Sequence, residues 1–383
     1  MKNTKKISVV FLLISILCFS SCDILDPLNL DSDVFDPSQT NSLSEPDFVD
    51  YTVSRILYDG LTETEKQAYR RIYNAVFGHP AKILLPLLTE EQISRVYTAL
   101  KYDNPHLLCL CNTYTYYVSG SKCYILPEYN SDTDECNAKC TELISEAKAM
   151  CKNMPQNGDE YSKELYLHDT LINAVSYSDL ENSDTAYGAV VNKKAACGGY
   201  ALACMLLFDI AGIKSTAVSG NALNAENEEI PHMWLAAEIN SEWYFVDPAW
   251  DDPVSDSGKN ILRHTYFNIN EAQLSLTHSG YTLPEGIECG SQTADYYTVS
   301  GLFCTTADAY DILRGELEKT VRIPAHIELR FDTAENFETA VNDLFTQGNI
   351  AELLSSCPGY TNGENGLSHS EDTDRNIMHI YIN

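Results

Sequence analysis

The chain has 383 residues, enough for a large buried core and for two or three domains. Its formal net charge of -30 sets nucleic acid and bare anionic lipid aside as partners, since both would repel it. Thirteen cysteines are many for this length, and in an exported protein they favour disulfides.

Residues 1–21 read as an export signal: Lys2, Lys5 and Lys6 precede an apolar run over 7–19, and Ser20, Ser21 and Cys22 follow. That run is too short to span a bilayer, and no other stretch has the length and apolarity of a transmembrane helix. Small residues directly before a cysteine resemble a bacterial lipobox. The resemblance implies a lipid on Cys22, attachment to a membrane through that lipid, and an extracytoplasmic place in the cell envelope. Asp23 leaves inner-membrane retention and surface export both open. Residues 22–50, rich in Asp, Ser, Pro and Asn without an apolar period, are expected to form a flexible acidic tether.

Residues 51–157 are expected to form a mostly helical N-terminal lobe. The pattern over 48–100 is helical, with Thr62 and Glu65 as a capping box and Leu84, Leu85, Leu87 and Leu88 as core candidates. Tyr114, Tyr116, Tyr117 and Tyr124 alternate as strands do, and 135–150 returns to helix. Cys109, Cys111, Cys123, Cys136, Cys140 and Cys151 fall in this lobe. They are expected to pair as disulfides; a zinc site is disfavoured because only His106 lies nearby and no CxxC occurs. With Cys18 and Cys22 set aside, eleven cysteines remain, an odd number that leaves one thiol free if the others pair.

A helix over 161–177 carries an apolar stripe with His168 at its edge, which reads as a structural histidine. Cys197 then precedes Gly198, Gly199 and an apolar run ending at Gly212, the pattern of a buried helix with a glycine stop. This places Cys197 at a helix N-terminus, where the dipole and unpaired amides favour a thiolate and can hold an oxyanion. Glycines directly after it suggest close approach by a substrate backbone. Two alternating apolar segments, 232–239 and 242–247, are separated only by Asn240 and Ser241, a hairpin signature. A two-residue turn pairs Ile239 with Glu242 and hence Trp234 with Asp247. His232 is then a diagonal neighbour of Asp247, about 7 Å away on the same face, and a one-residue slip would separate them.

A helix-borne thiol followed by a hairpin-borne His and Asp resembles the transglutaminase-like superfamily of papain-like fold. The segments Tyr187-Gly188-Ala189, Cys197-Gly198-Gly199-Tyr200-Ala201, Gly212-Ile213, His232-Met233-Trp234, Trp243-Tyr244-Phe245-Val246-Asp247 and Trp250-Asp251-Asp252-Pro253 all look like its bacterial members, and Tyr266-Phe267-Asn268 with His278 resembles the tail of that domain. Ala196 and Gly198 beside the cysteine, and Pro248-Ala249 after the aspartate, depart from the common pattern. The resemblance covers about 161–278 and implies an α+β catalytic domain over 158–285, a Cys-bearing buried helix packed on an antiparallel sheet. Cys197 would be the nucleophile, His232 the base and Asp247 the residue that fixes the imidazole tautomer. An acyl-enzyme on a peptide or amide follows, with no cofactor and no metal. Water as acceptor makes a cysteine peptidase or amidase; an amine makes a crosslinking transglutaminase. A catalytically inactive binding or adhesion lipoprotein on the same fold is the rival reading. Trp234, Trp250, Gly198 and Gly199 are candidates for the substrate cleft, and Asn192 for a second oxyanion donor. Asp251 and Asp252 read as a turn before Pro253 in preference to a cation site.

Residues 295–383 are expected to be a small α+β unit without catalytic residues: a strand over 297–304, a helix over 307–317, a strand over 326–331, a helix over 334–344 and a last strand over 377–382. Asp332-Thr333 is the N-cap signal of its second helix, and Gly348 suits a helix stop.

Overall fold

The structure, a computed structural model, describes residues 34–35, 46–180, 183–224, 226–253, 261–319, 325–355 and 366–382. The expected signal peptide, Cys22 and most of the tether lie outside the described residues, as does Cys357.

The first unit comprises β1 (Val34–Phe35), α1 (Ile56–Asp59), α2 (Glu63–Val76), β2 (Lys82–Leu85), α3 (Glu90–Tyr102), β3 (Leu110–Ser119) and β4 (Lys122–Tyr129), with its strands in the order β1-β2-β4-β3. Thr62 and Glu65 form the expected capping box, and Thr89 with Gln92 forms a second at the start of α3. The helical reading fails over 82–85. Pro80 and Pro86 bracket a segment too short for a helix, and Ile83 and Leu85 alternate into the core against Ile125 and Cys123 of β4. Leu87, expected in the core, is 58% exposed just beyond that strand.

α4 (Thr133–Cys151), expected within the N-terminal lobe, instead contributes Leu143, Ile144, Ala147 and Cys151 to the core of the next unit. That unit continues with α5 (Glu160–Ala174), β5 (Ser176–Tyr177), α6 (Ala186–Val190), β6 (Lys194–Ala195), α7 (Cys197–Ala211), β7 (Ser215–Leu223), β8 (Glu229–Ile239), β9 (Glu242–Val246), α8 (Glu271–Leu274) and β10 (His278–Ser279). Its antiparallel sheet runs β10-β7-β8-β9. α7 is apolar on every side because α4, α5, α6 and the sheet all pack on it. It stops at Gly212, whose φ of 78° closes the last turn onto Phe208 and Asp209 carbonyls.

The C-terminal unit holds α9 (Tyr296–Ser300), β11 (Phe303–Cys304), α10 (Ala309–Lys319), β12 (Ala325–Phe331), α11 (Ala334–Val341), a π-turn (Asn342–Thr346), α12 (Asn349–Ser355), β13 (Leu367–Asp372) and β14 (Ile377–Ile382), with sheet order β11-β12-β14-β13. The strand expected over 297–304 is mostly helix: Asp295 caps its first turn by accepting from the Thr298 N–H, and Gly301 at φ 70° ends it. The mixed α+β architecture with a buried Cys-bearing helix on an antiparallel sheet is thus present. Among the described residues no helix is long and apolar enough to cross a membrane.

The disulfide framework is sparser than its cysteine count suggests. Cys109 and Cys136 are bridged, tying the start of β3 to α4, while Cys111, Cys123, Cys140 and Cys151 remain thiols. Cys123, Cys140 and Cys151 are buried and fill the core as small apolar groups; Cys140 Sγ also donates to the His106 carbonyl at 3.0 Å.

Candidate active site

α7 begins at Cys197 because the preceding backbone is committed elsewhere. Lys194–Ala195 pairs in parallel with Ser176–Tyr177, and the extended Ala196 donates its N–H to the Ser183 carbonyl at 3.0 Å. Ala196 offers no side-chain cap, so the first-turn amides of α7 are left for another acceptor. Cys197 is an unbridged, half-buried thiol at that end.

The two glycines after it are buried. A Cβ on Gly199 would stand 2.1 Å from the Ser183 carbonyl oxygen and 3.1 Å from that of Thr185, so the chain's own backbone is what approaches it. At Gly198 a Cβ would meet Asp184 only at 3.4 Å and beyond, an ordinary contact.

The hairpin register is the one its turn dictates. Asn240 and Ser241 take φ of 53° and 69°, the two positive values of a type I′ turn, and Ile239 pairs with Glu242 through to Leu235 with Val246. Asp247 follows directly, and its Oδ2 receives His232 Nε2 at 2.6 Å. The Cys197 side chain acts on the same ring, adding to the rise in its pKa, so the ends of α7, β8 and β9 converge on one point. Burial opposes a charged His232, but Asp247 and then Cys197 push its pKa up to about 10. Asp247 is itself fully buried, which would raise its pKa, yet His232 and His278 hold it well below the usual carboxylate range.

Asp247 has more partners than the sequence suggested. Its Oδ1 accepts from the N–H groups of Ala249 and Trp250 at 3.1 and 3.2 Å, and its Oδ2 accepts a second imidazole, His278 Nε2, at 3.1 Å. His278 arrives because β10 pairs with β7, Ser279 opposite Asn221 and His278 opposite Ala222. Sequence reasoning placed His278 in the domain's tail without a role; the only available signal was its place after the Tyr266-Phe267-Asn268 segment.

Trp234 is wholly buried beneath the site, stacked 6.0 Å from His232 and edge-on to His278, so it forms the floor and does not wall an open cleft. Its ring fits because residue 220, opposite His232, is glycine: a Cβ there would lie 2.9 Å from the indole and 2.5 Å from the Ser279 carbonyl. Trp250 is half-buried and covers His232 and His278 at ring distances of 5.5 and 4.7 Å. Two residues that no motif indicated also sense the Cys197 charge. Burial comes first in raising the phenol pKa values of Tyr102, at the end of α3, and Tyr177, in β5, and the Cys197 charge adds to both. Asn192, the expected second oxyanion donor, is exposed.

The Asp251-Asp252 turn is occupied by protein groups. Tyr200 in the first turn of α7 donates its hydroxyl to Asp252, and Asp251 accepts the Tyr266 N–H at 2.9 Å while facing His168 Nε2 at 3.3 Å. His168 is buried and structural: its Nδ1 meets Asp169, which also receives His264 Nε2 at 3.0 Å. His264 continues the chain to Glu328 of β12 at 2.8 Å. Glu328 in turn lies 3.5 Å from His379, which meets His326 at 3.2 Å. These His and carboxylate groups face one another and join the central unit to the C-terminal one.

A thiol at a helix start, engaged by an imidazole that a buried carboxylate orients, is the arrangement of papain-like thiol folds. Residues 148–248 match the transglutaminase-like superfamily, so the chain carries a transglutaminase-like domain. A search of the curated proteins returned no match. Among solved structures the chain is similar to a TGase at 11% identity, over 44% of this chain and 50% of that one with a TM-score of 0.26. It is also similar to a proposed cysteine protease from Cytophaga hutchinsonii at 17% identity, over 35% of this chain and 60% of that one with a TM-score of 0.25. A third similarity is to a proposed protease from Parabacteroides distasonis at 14% identity, over 38% and 34% of the two chains with a TM-score of 0.20. The chain covers less than two thirds of each of these structures.

Proposed function

We propose that the protein is an extracytoplasmic thiol enzyme that cleaves peptide or amide bonds through an acyl-enzyme, with Cys197 as nucleophile, His232 as general base and acid, and Asp247 as the orienting carboxylate. The observation that carries this reading is the 2.6 Å contact of His232 Nε2 with the buried Asp247, in a ring whose pKa the Cys197 side chain also raises. His232 draws the Cys197 proton before attack and holds it as imidazolium, sulfur adds to the substrate carbonyl, and the imidazolium gives that proton to the departing amine, leaving a thioester. Water attacks the thioester, His232 accepts its proton, and release of the carboxylic acid restores the thiol. The free first-turn amides of α7 would hold the oxyanion, in a site where water is partly excluded.

Lipid attachment at Cys22 is the second part of the proposal. It rests on the Ser20-Ser21-Cys22 sequence, and the Cys109–Cys136 bridge suits an oxidising compartment.

The test is selective alkylation. Iodoacetamide at mildly acidic pH is expected to modify Cys197 first, ahead of seven other thiols among the described residues, and faster than a small-molecule thiol under the same conditions. The alkylated protein should lose the peptide cleavage that the untreated protein shows against a peptide library, and added amine donors will tell hydrolysis from transfer. If Cys197 reacts no faster than the free thiol, the triad reading falls.

A further inference from the structure

His278 is held as carefully as the triad, and by a residue more than ninety positions away. Its Nε2 meets Asp247 Oδ2 at 3.1 Å and its Nδ1 meets Thr277 Oγ1 at 2.9 Å. The Thr277 hydroxyl is in turn 3.0 Å from Arg375 Nη2, and 3.4 Å from the Tyr266 hydroxyl. Arg375 sits in the turn between β13 and β14 and is only 5% exposed. Its own backbone N–H and its Nη1 both bind Asp372, its Nη2 also reaches the Gln273 carbonyl at 2.9 Å, and the guanidinium lies 4.6 Å over the Tyr266 ring.

The direction of every proton in this chain follows from what each group can do. A guanidinium only donates, so Thr277 Oγ1 accepts from Arg375 and its single hydroxyl proton is free to point at His278 Nδ1. A carboxylate only accepts, so His278 Nε2 must carry a proton toward Asp247. The charged groups facing His278 are Asp247, His232 and Arg375, and its other neighbours are the rings of Trp234, Trp250 and Tyr266. Burial comes first in keeping this imidazole neutral, and the two nearby cations add to it. One neutral tautomer satisfies all four groups.

Resting on the catalytic reading above, we infer that Arg375 and Thr277 are positioning residues for the active site: they fix His278 as its Nε2–H tautomer, and His278 then locks the Asp247 carboxylate in the orientation that His232 needs. Asp247 receives four donors, two on each oxygen, and cannot turn about its terminal bond without breaking one. With the carboxylate fixed, the His232 ring is held where the Cys197 side chain acts on it. The C-terminal unit, which contributes no reacting group, thereby reaches the catalytic centre through one guanidinium.

Two measurements on the full chain test this. Nitrogen-15 NMR of labelled histidine, with the His278 signals assigned by their loss in His278→Gln, is expected to show a protonated Nε2 and a bare Nδ1. A bare Nε2 in the wild type overturns the inference, whatever any variant does. In the second measurement Thr277→Val, which keeps the shape and removes the hydroxyl, is expected to slow Cys197 alkylation roughly three- to tenfold, the worth of one hydrogen bond. Thr277→Ser should restore the rate. Wild-type alkylation by Thr277→Val, or failure of Thr277→Ser to rescue, overturns the inference as well. Should wild-type Cys197 prove no more reactive than a free thiol, the triad reading is what fails, and the NMR result still decides the tautomer.

Discussion

Cys197→Ala is expected to remove peptide cleavage altogether, a loss of about 10⁶-fold in turnover, with the fold intact because the thiol makes no disulfide. Asp247→Asn should cost less, roughly 10⁴-fold, since the nucleophile and base remain and what disappears is the anion that sets the ring's tautomer and charge. The two variants therefore separate the reacting groups from the orienting one. The amide of Asn also presents N–H where four donors converge, so Asp247→Asn should lower stability by about 1–3 kcal/mol in addition, read by thermal unfolding.

The pH dependence carries the same logic with a definite sign. His232 is raised from 6.5 to about 10, so its charged form is favoured in the folded protein. That contribution to stability is complete below the unfolded value and is lost as pH rises through the folded one. Asp247 is lowered from 3.8, so its contribution is complete above that value and is lost only in stronger acid. Turnover in the wild type, which needs the imidazolium to protonate the leaving amine, should fall only in the alkaline range. In Asp247→Asn the alkaline fall should move down toward the ordinary imidazole range. A wild-type and variant profile that coincide would show that Asp247 does not govern His232.

Gly199→Ala is expected to have the largest effect on folding of any single methyl addition near the site. The new Cβ would lie 2.1 Å from the Ser183 carbonyl and 3.0 Å from the Ala195 side chain, so α7 or the 183–185 segment must move. Backbone atoms on both sides cannot swing away as a side-chain end can, and the cost should be about 3 kcal/mol or more. Gly198→Ala is the internal control. Its Cβ finds ordinary contacts with Asp184, and it replaces a residue that costs a helix about 0.8–1 kcal/mol relative to alanine. Thermal unfolding should therefore show a large drop for the first variant and little or none for the second. Equal behaviour would mean that the 183–185 segment yields.

What could be seen in the sequence near the site was local. Asn240 and Ser241 set the hairpin register, and with it the shared face of His232 and Asp247, because a two-residue turn leaves no freedom in the pairing. Cys197 at a helix start was equally legible from the apolar run and its glycine stop. His278 was not, because its approach to Asp247 depends on β10 pairing with β7, a contact that no periodicity encodes. The same holds for Tyr102, delivered by a helix of the first unit, and for Arg375, delivered by the last. Gly199 was assigned to substrate approach when the approaching backbone was the chain's own, since a sequence shows that space is needed and not by what. Over 82–85 the error was one of period: three apolar residues after Lys82, between two prolines, read equally well as helix or strand until β4 supplies the partner.

The stretch that matches the superfamily ends one residue after Asp247, but the structure that supports Asp247 does not. Its second imidazole comes from His278, the Trp234 and Phe245 side chains are covered by Tyr266, Ile269 and Leu274, and Glu164 of α5 is held by Asn268 at 2.6 Å. A fragment cut at the family boundary would leave that apolar face bare and invite aggregation. Nor is the C-terminal unit an interchangeable cassette. A different unit grafted onto residue 294 would have to set a guanidinium against Thr277 and a carboxylate against His264, so an insertion that lengthens the β13–β14 turn could be silent for that unit and still be felt at the thiol.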